Sequence, residues 1–290
     1  GNSPAMHVVF DLVRRVSQAP TNVLITGESG TGKEVVAKMI HDRSERAANP
    51  FIPIKCNSAN EELFEMELFG SEEANKPSRL GSFVQAQNGT IYIDEINKLS
   101  PRLQLLFLRA LQDMVVKPVG STKEVPIKAR IIAASSVDLD NEVRKSFFRE
   151  DLFFKLSSAS IYLPPLRERR EDIPVLASYF VQKFNQLKSK KITNISHDAM
   201  NALLQHMWIG NIQELENLIE RIVVLKNSGN IEICDLPPRL RTLVTDNIDE
   251  YYDKQNDIKG NQTQNYNSHN HSQSHSNSNH TLNHNQIGLS

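Results

Sequence analysis

The stretch Gly27-Glu-Ser-Gly-Thr-Gly-Lys-Glu34, GESGTGKE, decides how this chain is read. It follows NVLIT (22–26), an apolar run that reads as a buried strand. It opens KEVVAKMIHDRSER (33–46), which reads as a helix. A glycine-rich turn between a strand and a helix is the setting of a phosphate-binding loop. Gly27, Gly30 and Gly32 let backbone N–H groups turn toward phosphate oxygens, and the helix N-terminus adds partial positive charge. Lys33 is placed to reach the β- and γ-phosphates of a nucleotide such as ATP. Glu28, Ser29 and Thr31 complete the loop. Glu34 stands where Ser or Thr usually follows the lysine, so Mg²⁺ has to be held by Thr31, by water or by Asp94. An ordinary glycine turn is the competing reading, and the strand–loop–helix context disfavours it.

TIYIDE (90–95) supplies the partner. An apolar strand ending in Asp94-Glu95 puts two carboxylates at the edge of a sheet where open α/β folds bind ligands. Asp94 is expected to hold Mg²⁺ through water, and Glu95 to orient an attacking water. A solvated turn is the plainer reading of two acids, and a nearby phosphate loop weakens it.

Further out, strand and helix signals alternate. Ser3-Pro4 looks like a helix start, with Met6, Val9, Phe10, Val13 and Val16 along one stripe. FIPIKC (51–56) and ARIIAAS (129–135) read as strands. NEELFEMELFG (60–70) reads as an amphipathic helix closing on Gly70, and Leu103, Leu106, Phe107 and Ala110 share a helix face. Such alternation implies a mostly parallel sheet with helices on both faces. After LPPLRERREDIP (163–174) the strand signals nearly stop. VLASYFVQKFNQLK (175–188), SHDAMNALLQHM (196–207) and IQELENLIERIVVL (212–225) are helical, giving a small all-helical second domain. Trp208 reads as core of that domain. RERRED (167–172) reads as a charged linker between subdomains, because its acids argue against a nucleic-acid patch, and its arginines are expected to serve domain or subunit contacts.

Composition bounds the rest. The chain has 290 residues, with 33 Lys+Arg against 34 Asp+Glu, which gives no general attraction for nucleic acid. Cys56 and Cys234 form no disulfide or zinc pattern, as expected in a reducing compartment. No apolar run approaches membrane-spanning length and no signal peptide opens the chain. The expectation is a soluble, cytoplasmic protein without a membrane partner, and, since residue 1 is Gly, a fragment. From Asn261 to Ser290 lie eight Asn, six Ser, four Gln and five His. That segment reads as a disordered polar tail rather than a metal site. The expected division is 1–166 for an α/β nucleotide-binding part, 167–243 for a helical lid and 244–290 for the tail.

Taken together, GESGTGKE, GTIYIDEI, RIIAAS, FREDLF and LPPLRERREDIP over residues 1–243 resemble the AAA+ central domain of bacterial enhancer-binding proteins, the NtrC-type activators of sigma-54 RNA polymerase. The resemblance implies a P-loop α/β domain with a helical lid. It also implies assembly into a dimer or hexameric ring with ATP between subunits, and RNA polymerase as partner. DNA would be read by a helix-turn-helix domain, and no such pattern follows Val244. Arg149 and the residue at position 155 would reach the neighbouring subunit's γ-phosphate, and position 213 would sense nucleotide from the lid.

The same comparison exposes departures. Where relatives carry GAFTGA, which contacts sigma-54, this chain has SEEANKPSRL (71–80), roughly four residues shorter and without the aromatic-threonine tip. The asparagine that holds the catalytic glutamate is Lys55, with Asn57 as a possible substitute, and a Lys55–Glu95 salt bridge would hold Glu95 off the water. The sensor position is Ser136, the second finger is Lys155, the lid arginine is Gln213 and the lid-turn proline is Ile209. Lysine lacks the planar fork of arginine, and arginine fingers are worth on the order of 10³–10⁵ in rate. Nucleotide binding with weak hydrolysis and sigma-54 independence is therefore expected. The competing readings are a working ATPase that remodels sigma-54 polymerase and a structural oligomerisation module. A cyclic dinucleotide as the sensed ligand is compatible with the resemblance, though no residue points to it.

Overall fold

The computed structural model describes residues 1–56, 60–72 and 78–242. Five of its strands form one parallel sheet. They are β1 (Val23–Thr26), β2 (Phe51–Lys55), β5 (Thr90–Asp94), β8 (Arg130–Ser135) and β9 (Ser160–Tyr162), in the order β2-β5-β8-β1-β9. Between them lie two antiparallel ribbons of two-residue strands, β3 (Gly70–Ser71) with β4 (Arg79–Leu80) and β6 (Val115–Val116) with β7 (Val125–Pro126). β8 is buried at every position, as a continuous apolar run covered on both faces should be.

Alternation sorts the strand residues onto two cores. Leu24, Ile54, Ile91, Ile93, Ile131 and Ala133 face one layer, built on α3 (Glu61–Phe69), α4 (Ser82–Gln85), α5 (Pro101–Asp113), α6 (Leu139–Arg144) and α7 (Glu150–Leu156). Ile25, Tyr92, Ile132, Ala134 and Ile161 face the other, covered by α1 (Pro4–Ser17) and α2 (Lys33–Asp42). The starts follow the sequence signals. Ser3 caps α1, Asn60 caps α3 by accepting from Leu63 N at 3.0 Å, and Ser100 caps α5. α3 stops at Gly70, whose φ is 90°.

Three elements depart from the expected spans. α2 ends at Asp42, not 46, because Ser44 Oγ donates to the His41 carbonyl at 2.7 Å and accepts from Arg46 N at 3.2 Å, which replaces helical bonding. β9 was not expected: it is an edge strand of three residues with only Ile161 buried. The lid region is helical, with α8 (Ile173–Lys188), α9 (His197–Gln205) and α10 (Asn211–Leu225), but it also holds a short parallel ladder of β10 (Lys191–Ile195) on β11 (Ser228–Ile231).

The chain divides into two compact units. One takes Gly1–Ser196 with His206–Ile231. Within it α8 packs along α10, with ion pairs Lys183–Glu216 at 2.6 Å and Lys188–Glu220 at 3.3 Å. The other takes His197–Gln205 and the residues from Glu232, where α9 buries Ala199, Ala202 and Leu203 and Glu232 and Asp235 form a reciprocal cap. Asn57, residues 73–77 of the 71–80 segment and the polar tail lie outside the described residues. No helix among the described residues is long and apolar enough to cross a membrane.

Candidate nucleotide-binding site

The sheet order brings the sequence motifs to one edge. β1 and β8 are neighbours in register Thr26↔Ser135, and β5 lies beside β8. The residues that follow these strands, Gly27, Asp94-Glu95 and Ser136, therefore leave the same carboxyl edge. Gly27 N donates to Ser135 O at 3.2 Å, which ties the start of the loop to β8.

The loop then turns through backbone that L-residues avoid. Gly30 has φ 77° and Gly32, at the start of α2, has φ 98°. A Cβ at Gly30 would overlap the carbonyl oxygen of Gly210, so only glycine fits. At Gly32 the nearest atom is Ile212 Cδ1 at 3.8 Å, so there the backbone angle alone selects glycine. Thr31 Oγ1 donates to Glu28 O at 2.8 Å. Lys33 Nζ curls back to donate to Gly27 O at 2.8 Å and Glu28 O at 3.1 Å. Lys33 is 6% exposed, and burial draws its ammonium below the usual lysine range, against the pull of Glu95 and Asp94. Ser29 and Glu34 are exposed.

Asp94 Oδ1 accepts from Tyr92 OH and from Glu95 N, both at 3.1 Å. Glu95 sits in a left-handed conformation with φ 56° and is 6% exposed. Its Oε2 accepts from Ser136 Oγ at 2.5 Å. This is a correction. The Lys55–Glu95 salt bridge expected from the sequence does not form, and Ser136, just after β8, holds the glutamate instead. Lys55 makes no ion pair among the described residues, and its charge acts on Lys33, lowering the pKa of that ammonium further. Cys56, next along, is a buried thiol pushed up to about 12 by burial and by the charges of Asp94 and Glu95.

The lid side of the loop is where sequence reasoning missed residues. Arg167 grips Glu28 with both guanidinium nitrogens, at 2.8 and 2.5 Å. Asn211, fully buried with φ 55°, donates to Glu28 Oε2 at 3.1 Å and to Ser29 O at 2.9 Å, and accepts from Leu166 N at 2.8 Å. Ile212 N donates to Gly30 O at 3.0 Å, and Arg169 donates to Thr31 O at 2.9 Å. The Glu28 carboxyl is held below the usual glutamate range chiefly by the Arg167 hydrogen bond, which outweighs the opposing effect of burial, with a lesser contribution from Asn211. Arg167 and Arg169 lie in the run whose arginines were expected to serve domain or subunit contacts, without the phosphate loop as their target, and Asn211 lies in the motif read only for Trp208, Ile209 and Gln213. Trp208 is fully buried, edge-on to His206 at 4.7 Å, as a core residue should be. Gln213 is exposed, and its Cβ lies beside Gly30.

Two candidates lie elsewhere. Arg149 caps α7 and pairs with Asp151 at 2.8 Å, its backbone N held by buried Gln104 at 2.9 Å. Lys155 is exposed near the end of α7. Neither bonds any residue of the phosphate loop.

This geometry agrees with what the chain is similar to. Residues 1–162 match the sigma-54 interaction domain, and residues 167–250 match the AAA+ ATPase lid domain. The chain belongs to the sigma-54 interaction domain family. It is an AAA+ nucleotide-binding domain of the NtrC-type enhancer-binding regulators, as its motifs implied. The transcriptional regulatory protein ZraR of Escherichia coli (strain K12) is 43% identical over 242 residues, covering 82% of this chain and 55% of that protein. The Nif-specific regulatory protein of Azotobacter vinelandii is 42% identical over 235 residues, covering 80% of this chain and 45% of that protein. Among solved structures, NtrX from Brucella abortus in complex with ATP superposes with a TM-score of 0.77 at 35% identity, covering 83% of this chain and 54% of that one. The same protein is also known in complex with ADP. The chain thus spans about half the length of the curated relatives it matches.

Proposed function

We propose that this sigma-54 interaction domain binds ATP in the loop Gly27–Glu34, uses occupancy to set its assembly with further copies, and hydrolyses ATP slowly. The observation that carries the reading is the preformed loop, with its left-handed glycines and a buried Lys33 whose ammonium now rests on two carbonyls that phosphate oxygens would replace. ATP, when bound, supplies the phosphoryl group, and Mg²⁺ the charge that offsets it. Asp94 Oδ2 makes no hydrogen bond to a described residue, so it suits a water-mediated contact to Mg²⁺. Among the described residues no group of three or more His, Cys, Asp or Glu side chains could hold a metal, so the ion would depend on phosphate oxygens.

Slow turnover is supported by Glu95. A general base must aim a lone pair at the water; the Ser136 bond takes one lone pair of Oε2 and fixes the orientation of the carboxylate, while Oε1 keeps its own. Lys155 in place of a second arginine keeps the charge but loses the planar fork, and Gln213 in place of a lid arginine removes a charge, both where phosphoryl transfer gains most. Arg149, exposed and away from its own chain's loop, is left to reach a neighbouring copy's nucleotide. NtrX, with both ATP and ADP complexes, lends weight to the choice of nucleotide.

Independence from sigma-54 rests on the sequence of 71–80, which lacks the aromatic-threonine tip and whose described ends pair Ser71 with Arg79. The alternative, a working ATPase that remodels sigma-54 RNA polymerase, is favoured by the family match itself. Gel filtration with sigma-54 and an ATP transition-state analogue separates the two. Our reading expects no co-elution, and a stable complex overturns it. Fluorescent-ATP titration tests binding, with saturation expected in the parent chain and lost in Lys33→Ala. No binding by the parent chain would leave a structural oligomerisation role.

A further inference from the structure

At the opposite edge of the sheet, where the strands begin, lies a recess of about 290 Å³. Asn22 just before β1, Arg130 opening β8 and Ser158 just before β9 line it, together with Arg46, Lys128 and Lys155. Four of the thirteen lining residues are cations, apolar residues such as Leu111, Met114 and Ile127 form much of the rest of the wall, and no Asp or Glu lines the recess. None of the four forms an ion pair among the described residues. The chain as a whole carries a net charge of −1, so this is a local concentration and not a basic protein seen in part.

The two guanidinium groups are fixed, not trailing in solvent. Arg130 is 3% exposed and donates from Nε to Thr21 O at 3.0 Å and from a terminal nitrogen to Val16 O at 2.7 Å. Arg46 donates to Asn88 O at 2.5 Å and to Lys128 O at 2.8 Å. Carbonyl oxygens satisfy N–H groups but do not neutralise a full charge. Burying an uncompensated guanidinium costs free energy unless an anion offsets it. The strain registers on Arg130, which is drawn down to about 10 by burial and by the charge of Arg46. It stays protonated at neutral pH. Asn22 Nδ2 and Ser158 Oγ both donate to Lys155 O, at 3.2 and 3.4 Å, and anchor the backbone that carries the fourth cation.

We propose that this recess binds a phosphate-bearing anion of about pyrophosphate size, with Arg46 and Arg130 as the fixed charges and Lys128 and Lys155 closing on the ligand. The volume lies at the small end of ligand pockets, which suits phosphate groups better than a whole nucleotide. The site is distinct from the loop at Gly27–Glu34, since the two lie at opposite ends of the strands. The phosphates can come from a free anion or from the tail of a nucleotide.

The test uses the full chain with ADP already saturating the phosphate loop, titrated with pyrophosphate by calorimetry at low salt. One pyrophosphate per chain is expected, weakened at least tenfold by Lys128→Glu and less by Lys128→Gln. Lys128 is exposed, so both variants should melt like the parent. The same titration in Lys33→Ala without ADP, followed by addition of ADP, separates the sources: displacement of pyrophosphate assigns the recess to a nucleotide tail, and no displacement to a free anion. If ADP fails to bind the parent chain, the phosphate-loop reading fails by itself, and the Lys33→Ala titration still tests the recess. No binding of pyrophosphate in either titration, or binding that Lys128→Glu leaves unchanged, overturns the proposal.

Discussion

Ser136 and Glu95 carry the chemistry of the account at the scale of single residues. A hydrogen bond to a charged group contributes about 1.5–3 kcal/mol, enough to hold a carboxylate in one rotamer. Ser136→Ala removes the donor and frees Glu95 toward water. We expect ATP turnover to rise by about tenfold or more, with nucleotide affinity unchanged. A phosphate-release assay reads it, and a fall in turnover would mean that Ser136 positions Glu95 for attack. Position 136 was legible in the sequence as a departure from its relatives, but its partner was not. Lys55 was the expected partner because opposite charges attract. In the fold it is a neighbour of Lys33, and the residue just after β8 delivers a hydroxyl to the glutamate first. A second residue-scale prediction concerns thiols. Cys56 is buried and its thiol is pushed up to about 12, whereas Cys234 is exposed. The thiolate is the reactive form. A thiol reagent at neutral pH should modify one cysteine per folded chain, at Cys234, and rapid modification of Cys56 would contradict the burial described.

At the scale of elements, the phosphate loop is held to the lid helix α10 and to the segment before α8 through the Glu28 carboxylate and through the carbonyls of Ser29, Gly30 and Thr31. Glu28 and Arg167 are 139 positions apart, so no local pattern could announce the pair. The loop and helix themselves were legible, because their signals are local: glycines at fixed spacing, a cap, a stripe. The end of α2 was not, because Ser44 competes for backbone bonds that periodicity assigns to a helix. The pair also sets a pH dependence. The folded-state pKa of Glu28 is depressed below its ordinary 4.5, chiefly by the Arg167 hydrogen bond. Its contribution to stability is therefore fully present above the unfolded value and is lost as pH falls through the folded one. Both side chains are partly exposed, at 30% for Arg167 and 40% for Glu28, so solvent screening keeps the effect small. Glu28→Gln should lower the melting midpoint by on the order of a degree or two at pH 7. The difference from the parent should shrink once pH falls below the ordinary glutamate value and vanish only below the depressed folded one. A difference that persists unchanged into acid would show that the ion pair is not its source.

The whole molecule gathers three strand ends at one sheet edge, and this is what turns scattered motifs into a site. The alternation of strands and helices made that sheet legible in advance, since parallel strands joined through helices leave their carboxyl ends together. The edge strand β9 and the β10–β11 ladder escaped notice because each is short and half exposed, with too few apolar residues to mark a strand. The central claim is that binding and turnover are uncoupled: the loop is formed, while the groups that would speed phosphoryl transfer are tied up or replaced. The most direct measurement is fluorescent-ATP binding and phosphate release on the same preparation, with Glu95→Gln alongside. The account predicts saturable binding with phosphate release near background in both chains. Brisk release by the parent chain that disappears in Glu95→Gln would contradict it.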